Sequence, residues 1–157
     1  MHLDAKSHAR PVPSPASAGA DRLRRASLAV LVLLVAEYGL GMYVNLYVSV
    51  PSADHSGGVG GAIANGPLTL SLHGAIGLLL GLGALGVLVQ AVLARRPGII
   101  VASAAGLVGV GLAAAAGASF VSSGHAADSM AMSVLTGVGM LCYAVNLYLL
   151  PGRSPGQ

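Results

Sequence analysis

The chain has 157 residues, 55% hydrophobic and only 8% charged, with a formal net charge of +3 and a mean hydropathy of +0.79. A soluble domain carries about 25% charged residues, so this composition excludes one and points to a small integral membrane protein. The basic residues gather at the ends of apolar segments, where membrane topology explains them, so the charge is not a nucleic-acid footprint.

Residues 1–25 hold Pro11, Pro13 and Pro15 among Ala and Ser, then Arg22, Arg24 and Arg25. This reads as a disordered cytoplasmic tail ending in a basic anchor, with His2 and His8 as solvated tail residues. The apolar run from Ala26 is about 25 residues long, too long for the core of a cleaved signal peptide, so it is expected to stay as a helix. Residues 26–150 form the expected transmembrane domain and 151–157 a short C-terminal tail.

Four segments meet the requirement of about 20 apolar residues for a span: Ala26–Val50, Pro67–Ala94, Gly98–Ser122 and Asp128–Leu150. Backbone groups in lipid must be satisfied within each segment, so all four are expected to be helices despite many glycines. The expected fold is therefore all-α, a four-helix transmembrane bundle. Pro51, Pro67, Pro97 and Pro151 fall at segment ends, where proline does least harm.

All eight Lys and Arg lie in the N-terminal tail, at Arg95–Arg96 or at Arg153, and none lies in 51–66 or 123–127. The positive-inside rule then puts both termini in the cytoplasm of a multi-pass plasma-membrane protein. Short links make helices two and three, and three and four, antiparallel neighbours. The longer loop 51–66 is rich in glycine and is expected to be mobile or to fold over the bundle mouth.

Small residues mark the packing faces: Gly74, Gly77, Gly81 and Ala84; Ala102, Gly106, Gly109, Ala113 and Ala116; Ser129, Ser133 and Gly137. Such stripes let helices approach closely in lipid. They also leave room for a flat cofactor. The near-repeat of Gly39–Tyr47 at Gly137–Tyr148 joins helices of opposite direction and reads as coincidence. Cys142, the lone cysteine, reads as a small packing residue and excludes an internal disulfide.

Glu37 is the only glutamate, and it lies in the first apolar segment. An acid there costs about 2.5–3.5 kcal/mol on insertion scales, so its face must turn inward. Glu37, Gly41 and Asn45 share that face. No basic partner for Glu37 is expected within any helix, which favours a neutral, hydrogen-bonding acid; the alternative is a proton or cation site. At about 1.5 Å per residue, His73 lies roughly 9 Å below the outer end of helix two, level with Tyr43 and Asn45. Glu37 lies roughly 20 Å down, so contact with His73 is not expected. Glu37, Asn45 and Tyr43 are the expected buried polar residues.

His73 has three readings: a core histidine bonded to Tyr43, Asn45 or Thr69; an axial haem ligand; or a proton-relay member. A porphyrin needs an axial His or Met and small residues beside it, as Gly74 and Gly77 would be. Candidate second ligands are His125, Met132, Met130 and Met42. As a loop histidine, His125 has the solvated residue as its plainer reading. His55 and Asp54 with His125 and Asp128 form a weaker metal-site candidate.

A histidine early in helix two and another at the start of helix four, as His73 and His125 stand, resembles one four-helix half of haem A synthase. It also resembles the b561-type cytochromes, which hold b haem between histidines. The chain further resembles small uncharacterised four-helix bacterial proteins with Gly-Met-Tyr-Val-Asn-Leu-Tyr ending helix one, a likeness that implies no activity. The haem resemblance implies haem b, with electron transfer or haem handling as the function. The alternatives are a non-catalytic subunit or scaffold binding a membrane-protein partner or a second copy, and a proton pathway through Glu37.

Overall fold

The computed structural model describes residues 15–48 and 58–150, with side chains from residue 18 onward. The described chain is helical: α1 Pro15–Tyr47, α2 Gly58–Asn65, α3 Leu68–Leu93, α4 Pro97–Ser123 and α5 Ala126–Leu149. α1 from Ala18, α3, α4 and α5 are each long and apolar enough to cross a membrane. The all-α four-helix expectation therefore holds, with α2 as a fifth, shorter element.

Two boundaries differ from the sequence expectation. Helix α1 begins at Pro15, within the segment expected to be disordered. Alanine-rich sequence favours helix, and this extension is anchored: Leu23 is buried and Arg24 Nη1 donates to the Leu150 carbonyl at 3.0 Å. Residues 1–14, 49–57 and 151–157 lie outside the described residues, as do the readings placed on His2, His8, Asp54 and His55.

The glycine-rich loop also contains α2. Its Val59, Ala62 and Ile63 fall at i, i+3 and i+4, enough to give one apolar face. Ala62 is fully buried, Ile63 lies over Gly74, and Ser71 Oγ donates to the Ile63 carbonyl at 2.6 Å. The bundle mouth is thus covered by a helix that packs on α3 and α4.

The four long helices form a ring. α1 packs on α3 and α5, α4 packs on α3 and α5, and neither diagonal pair makes contact among the described residues. Tight turns set the order. α3 ends at Ala94, Arg95 takes a left-handed φ of 51°, and Pro97 starts α4 at the position where its missing N–H costs nothing. α4 ends at Gly124 with φ 69°, a conformation glycine adopts freely.

Glycines fix the registers. Along α1 and α3, Gly41 faces His73, Gly77 faces Glu37 and Gly83 faces Val30. Along α4 and α5, Gly106 faces Tyr143, Gly109 faces the backbone of Leu135 and Gly139, and Gly117 faces Met132. This is the broadest contact of the bundle. It matches close packing through small residues. The core between these seams holds Leu34, Leu80, Ala84, Val87, Val110 and the fully buried Tyr143.

A second buried set lies toward the Arg95 turn. Asn146 Nδ2 donates to Ser103 Oγ at 2.9 Å, and both residues are fully buried, as is Ser27. The near-repeat is thereby split: Asn146 in the second copy is buried, whereas Asn45 in the first is exposed.

A Cβ at Gly106 would lie 2.9 Å from Tyr143 Cε2, while one at Gly86 meets nothing within 4 Å. Gly106→Val should therefore destabilise the detergent-solubilised protein by about 1–3 kcal/mol in thermal unfolding. Gly86→Val should stay within about 0.5 kcal/mol of wild type in the same assay.

Candidate functional site

The site is built where α1 and α3 meet. His73 Nδ1 lies 2.7 Å from Glu37 Oε1, across a contact that is short but not aligned as a linear hydrogen bond. The side chains are 23% and 9% exposed. This corrects two expectations: His73 and Glu37 do touch, and Glu37 has a basic partner inside the bundle.

The physical reason lies in the helix end. The described helix α1 stops at Tyr47, not Val50, so Gly41 rather than Tyr43 or Asn45 is level with His73. A Cβ on Gly41 would lie 3.1 Å from His73 Cε1, so the bare glycine lets the ring settle on α1. Glu37 is one turn further in, roughly 6 Å along the axis, and two side chains span that rise.

Tyr43 and Asn45 are not buried. Tyr43 is 49% exposed and its ring centroid lies 5.3 Å from that of Tyr47. Two positions from Gly41 turn it about 200° around the helix, away from the interior. Asn45 is exposed at the edge of the face, and its Oδ1 accepts from Ser129 Oγ at 3.2 Å. Val44 takes the buried place.

A cavity of about 650 Å³ adjoins the pair. It is walled by residues of all five helices, among them Leu34, Glu37, His73, Val110, Met132 and Ile63 of α2. Among the described residues Glu37, Asn45, His73 and Thr136 are its polar side chains, and no Lys or Arg borders it. On the α3–α4 side its lining includes Leu78, Leu82 and Leu85, which are 68%, 59% and 47% exposed. The cavity therefore opens sideways between these two helices.

The sequence-predicted residues separate here. His73, Gly74, Gly77 and Met132 line the cavity with Glu37; His125, Met42 and Met130 do not. Gly74 is covered by Ile63, and Gly77 by the Glu37 carboxyl. His125 is an exposed residue just beyond Gly124, at the start of α5, and its backbone N–H donates to Ser123 Oγ. Asp128 accepts from Ser119 and Ser123 at 2.9 and 2.7 Å. Among the described residues no group of three or more His, Cys, Asp or Glu is placed to hold a metal ion.

Nδ1 and Oε1, 2.7 Å apart and not aligned as a hydrogen bond, approach closely enough that one proton between them offsets the repulsion of two acceptors. We assign it to Nδ1, the usual arrangement of a histidine held by a carboxylate. His73 Nε2 is then the ring nitrogen without a proton, and Glu37 Oε2 is buried with no hydrogen-bond partner among the described residues. Both remaining atoms are acceptors. Comparison with protein-family models, curated proteins and solved structures finds no match for this chain.

The contact predicts energetic coupling. Glu37→Ala and His73→Ala should each destabilise the protein, and the double variant should deviate from additivity by about 0.5–3 kcal/mol in a thermal-unfolding cycle. Tyr43→Phe paired with Glu37→Ala should be additive.

Proposed function

We propose that this chain is a small multi-pass protein of the plasma membrane, both termini cytoplasmic, that binds a largely apolar small molecule between its helices. His73 and Glu37 are the polar contact. The observation that carries the reading is the cavity of about 650 Å³ with one imidazole–carboxyl pair in an otherwise apolar wall. Ligand pockets run to about 300–1,000 Å³ and join apolar walls to a few placed polar groups. The exposed leucines at the α3–α4 opening direct entry from the hydrocarbon phase.

A second reading is b-type haem, for electron transfer or haem handling. One observation favours it: Met132 on α5 lines the same cavity as His73 on α3. His73 and Met132 would hold the iron, with Glu37 orienting the imidazole as carboxylates orient metal-binding histidines. His125 stands outside this arrangement.

The two remaining readings have less behind them. A scaffold for partner helices or a second copy would use the glycine faces, yet Gly106, Gly109 and Gly139 are spent on the chain's own α4–α5 seam. A proton pathway through Glu37 meets Leu34 and Leu80, both buried, one turn further into the core.

Gly81 lines the cavity and a Cβ there meets nothing within 4 Å, so Gly81→Phe should fill the space without disturbing the fold. Native mass spectrometry of wild type released from nanodiscs should show bound small-molecule adducts, and Gly81→Phe should lose them. Equal adducts on both proteins, or none on wild type, would contradict the reading. A Soret band on the same wild-type sample, abolished by His73→Ala, would select haem.

A further inference from the structure

The cavity has a chemical polarity of its own, and this inference rests on the cavity reading above. We propose that the site takes a neutral long-chain lipid with a hydroxyl head, the O–H donating to the His73–Glu37 pair and the tail leaving between α3 and α4.

The head is identified by what the pair lacks. With the proton on Nδ1, His73 Nε2 is an acceptor, and Glu37 Oε2 is a buried acceptor with no hydrogen-bond partner among the described residues. The Glu37 side chain is 9% exposed and lines the cavity, so Oε2 is a buried acceptor beside it. A buried acceptor left unsatisfied is destabilising, and a ligand O–H relieves it. An ether or ester oxygen, which only accepts, does not.

Charge narrows the head further. Among the described residues no Lys or Arg lines the cavity, and Glu37 is the one ionisable acid on its wall. An anionic head would be repelled by the Glu37 carboxylate and would find no cation on the described wall to pair with. A neutral hydroxyl meets neither cost.

The tail follows from the opening. Leu78, Leu82 and Leu85 of α3 face Gly111 and Ala114 of α4 across the mouth, and all five are exposed. The small residues on α4 leave width for a chain, and the leucines give it apolar contact. At the bundle mouth, Val59 and Ile63 of α2 close the cavity on the side nearest the loops. A chain therefore leaves sideways, into lipid.

The test uses one tail and four heads. Wild-type protein in phosphatidylcholine nanodiscs is loaded with oleyl alcohol, oleyl methyl ether, oleylamine or oleyl phosphate, and bound lipid is counted by native mass spectrometry. Oleyl alcohol should bind about tenfold more tightly than its methyl ether, the ratio expected of one lost hydrogen bond of about 1.4 kcal/mol. His73→Phe should bring that ratio near one, and Glu37→Gln, which keeps the volume, should reduce it. Oleyl phosphate should bind least. Methyl ether equal to alcohol, or a ratio unchanged in both variants, overturns the hydroxyl assignment. Preference for oleylamine or oleyl phosphate overturns the neutral head. If all four lipids bind wild type alike and Gly81→Phe loses all four, the cavity reading stands and only this proposal falls. If none binds wild type, both fall.

Discussion

A single carboxyl group in an apolar helix constrains this fold. Glu37 must be kept from lipid, and the structure does so by seating it against α3 where glycine replaces a side chain. Gly77 leaves space for the carboxyl, Gly41 leaves space for the His73 ring, and the two polar groups meet between those glycines. The α1–α3 register is set by the same contacts. Burying either polar group alone would leave an unsatisfied group in a low-dielectric interior, so the two depend on each other.

That arrangement has a chemical consequence. Nδ1 and Oε1 face each other, and Glu37 Oε2 stays buried with no hydrogen-bond partner among the described residues, in a residue that lines an apolar cavity. Packing alone would be served by filling the space; the interiors of bundles are normally dense. Here α3 and α4 close around Ala84, Val87 and Ile99 near the Arg95 turn, and leave a volume toward α2. The polar pair and the open volume are at the same level, which is why binding is the reading the geometry supports.

Much of the fold was legible in the sequence. Segment length, hydropathy and the prolines at Pro67 and Pro97 placed α3 and α4 within a residue or two. On α4 the small-residue stripe marked Gly106 and Gly109 at the α4–α5 seam; on α5 the close approach is made by Gly139, not by Gly137, where a Cβ meets nothing within 4 Å. What sequence could not place was the end of α1 and the helix α2. A shift of three residues at Tyr47 moved the expected partner of His73 from Gly41 to Tyr43 and Asn45. At about 1.5 Å per residue that error is large enough to separate Glu37 from His73 on paper. The α2 signal was short, and its glycines masked the Val59, Ala62 and Ile63 face. His125 looked equivalent to His73 by spacing, but Gly124 turns the chain out of the helix before it.

The central claim is that Glu37 holds the His73 imidazole through Nδ1. It is tested most directly by ¹⁵N NMR of histidine-labelled protein in nanodiscs, with the His73 resonances assigned from a His73→Gln sample. The account predicts a protonated Nδ1 and an unprotonated Nε2 in wild type, and a marked change of both shifts in Glu37→Gln. Ring nitrogens exchanging between tautomers as in free imidazole, with shifts indifferent to Glu37→Gln, would contradict it.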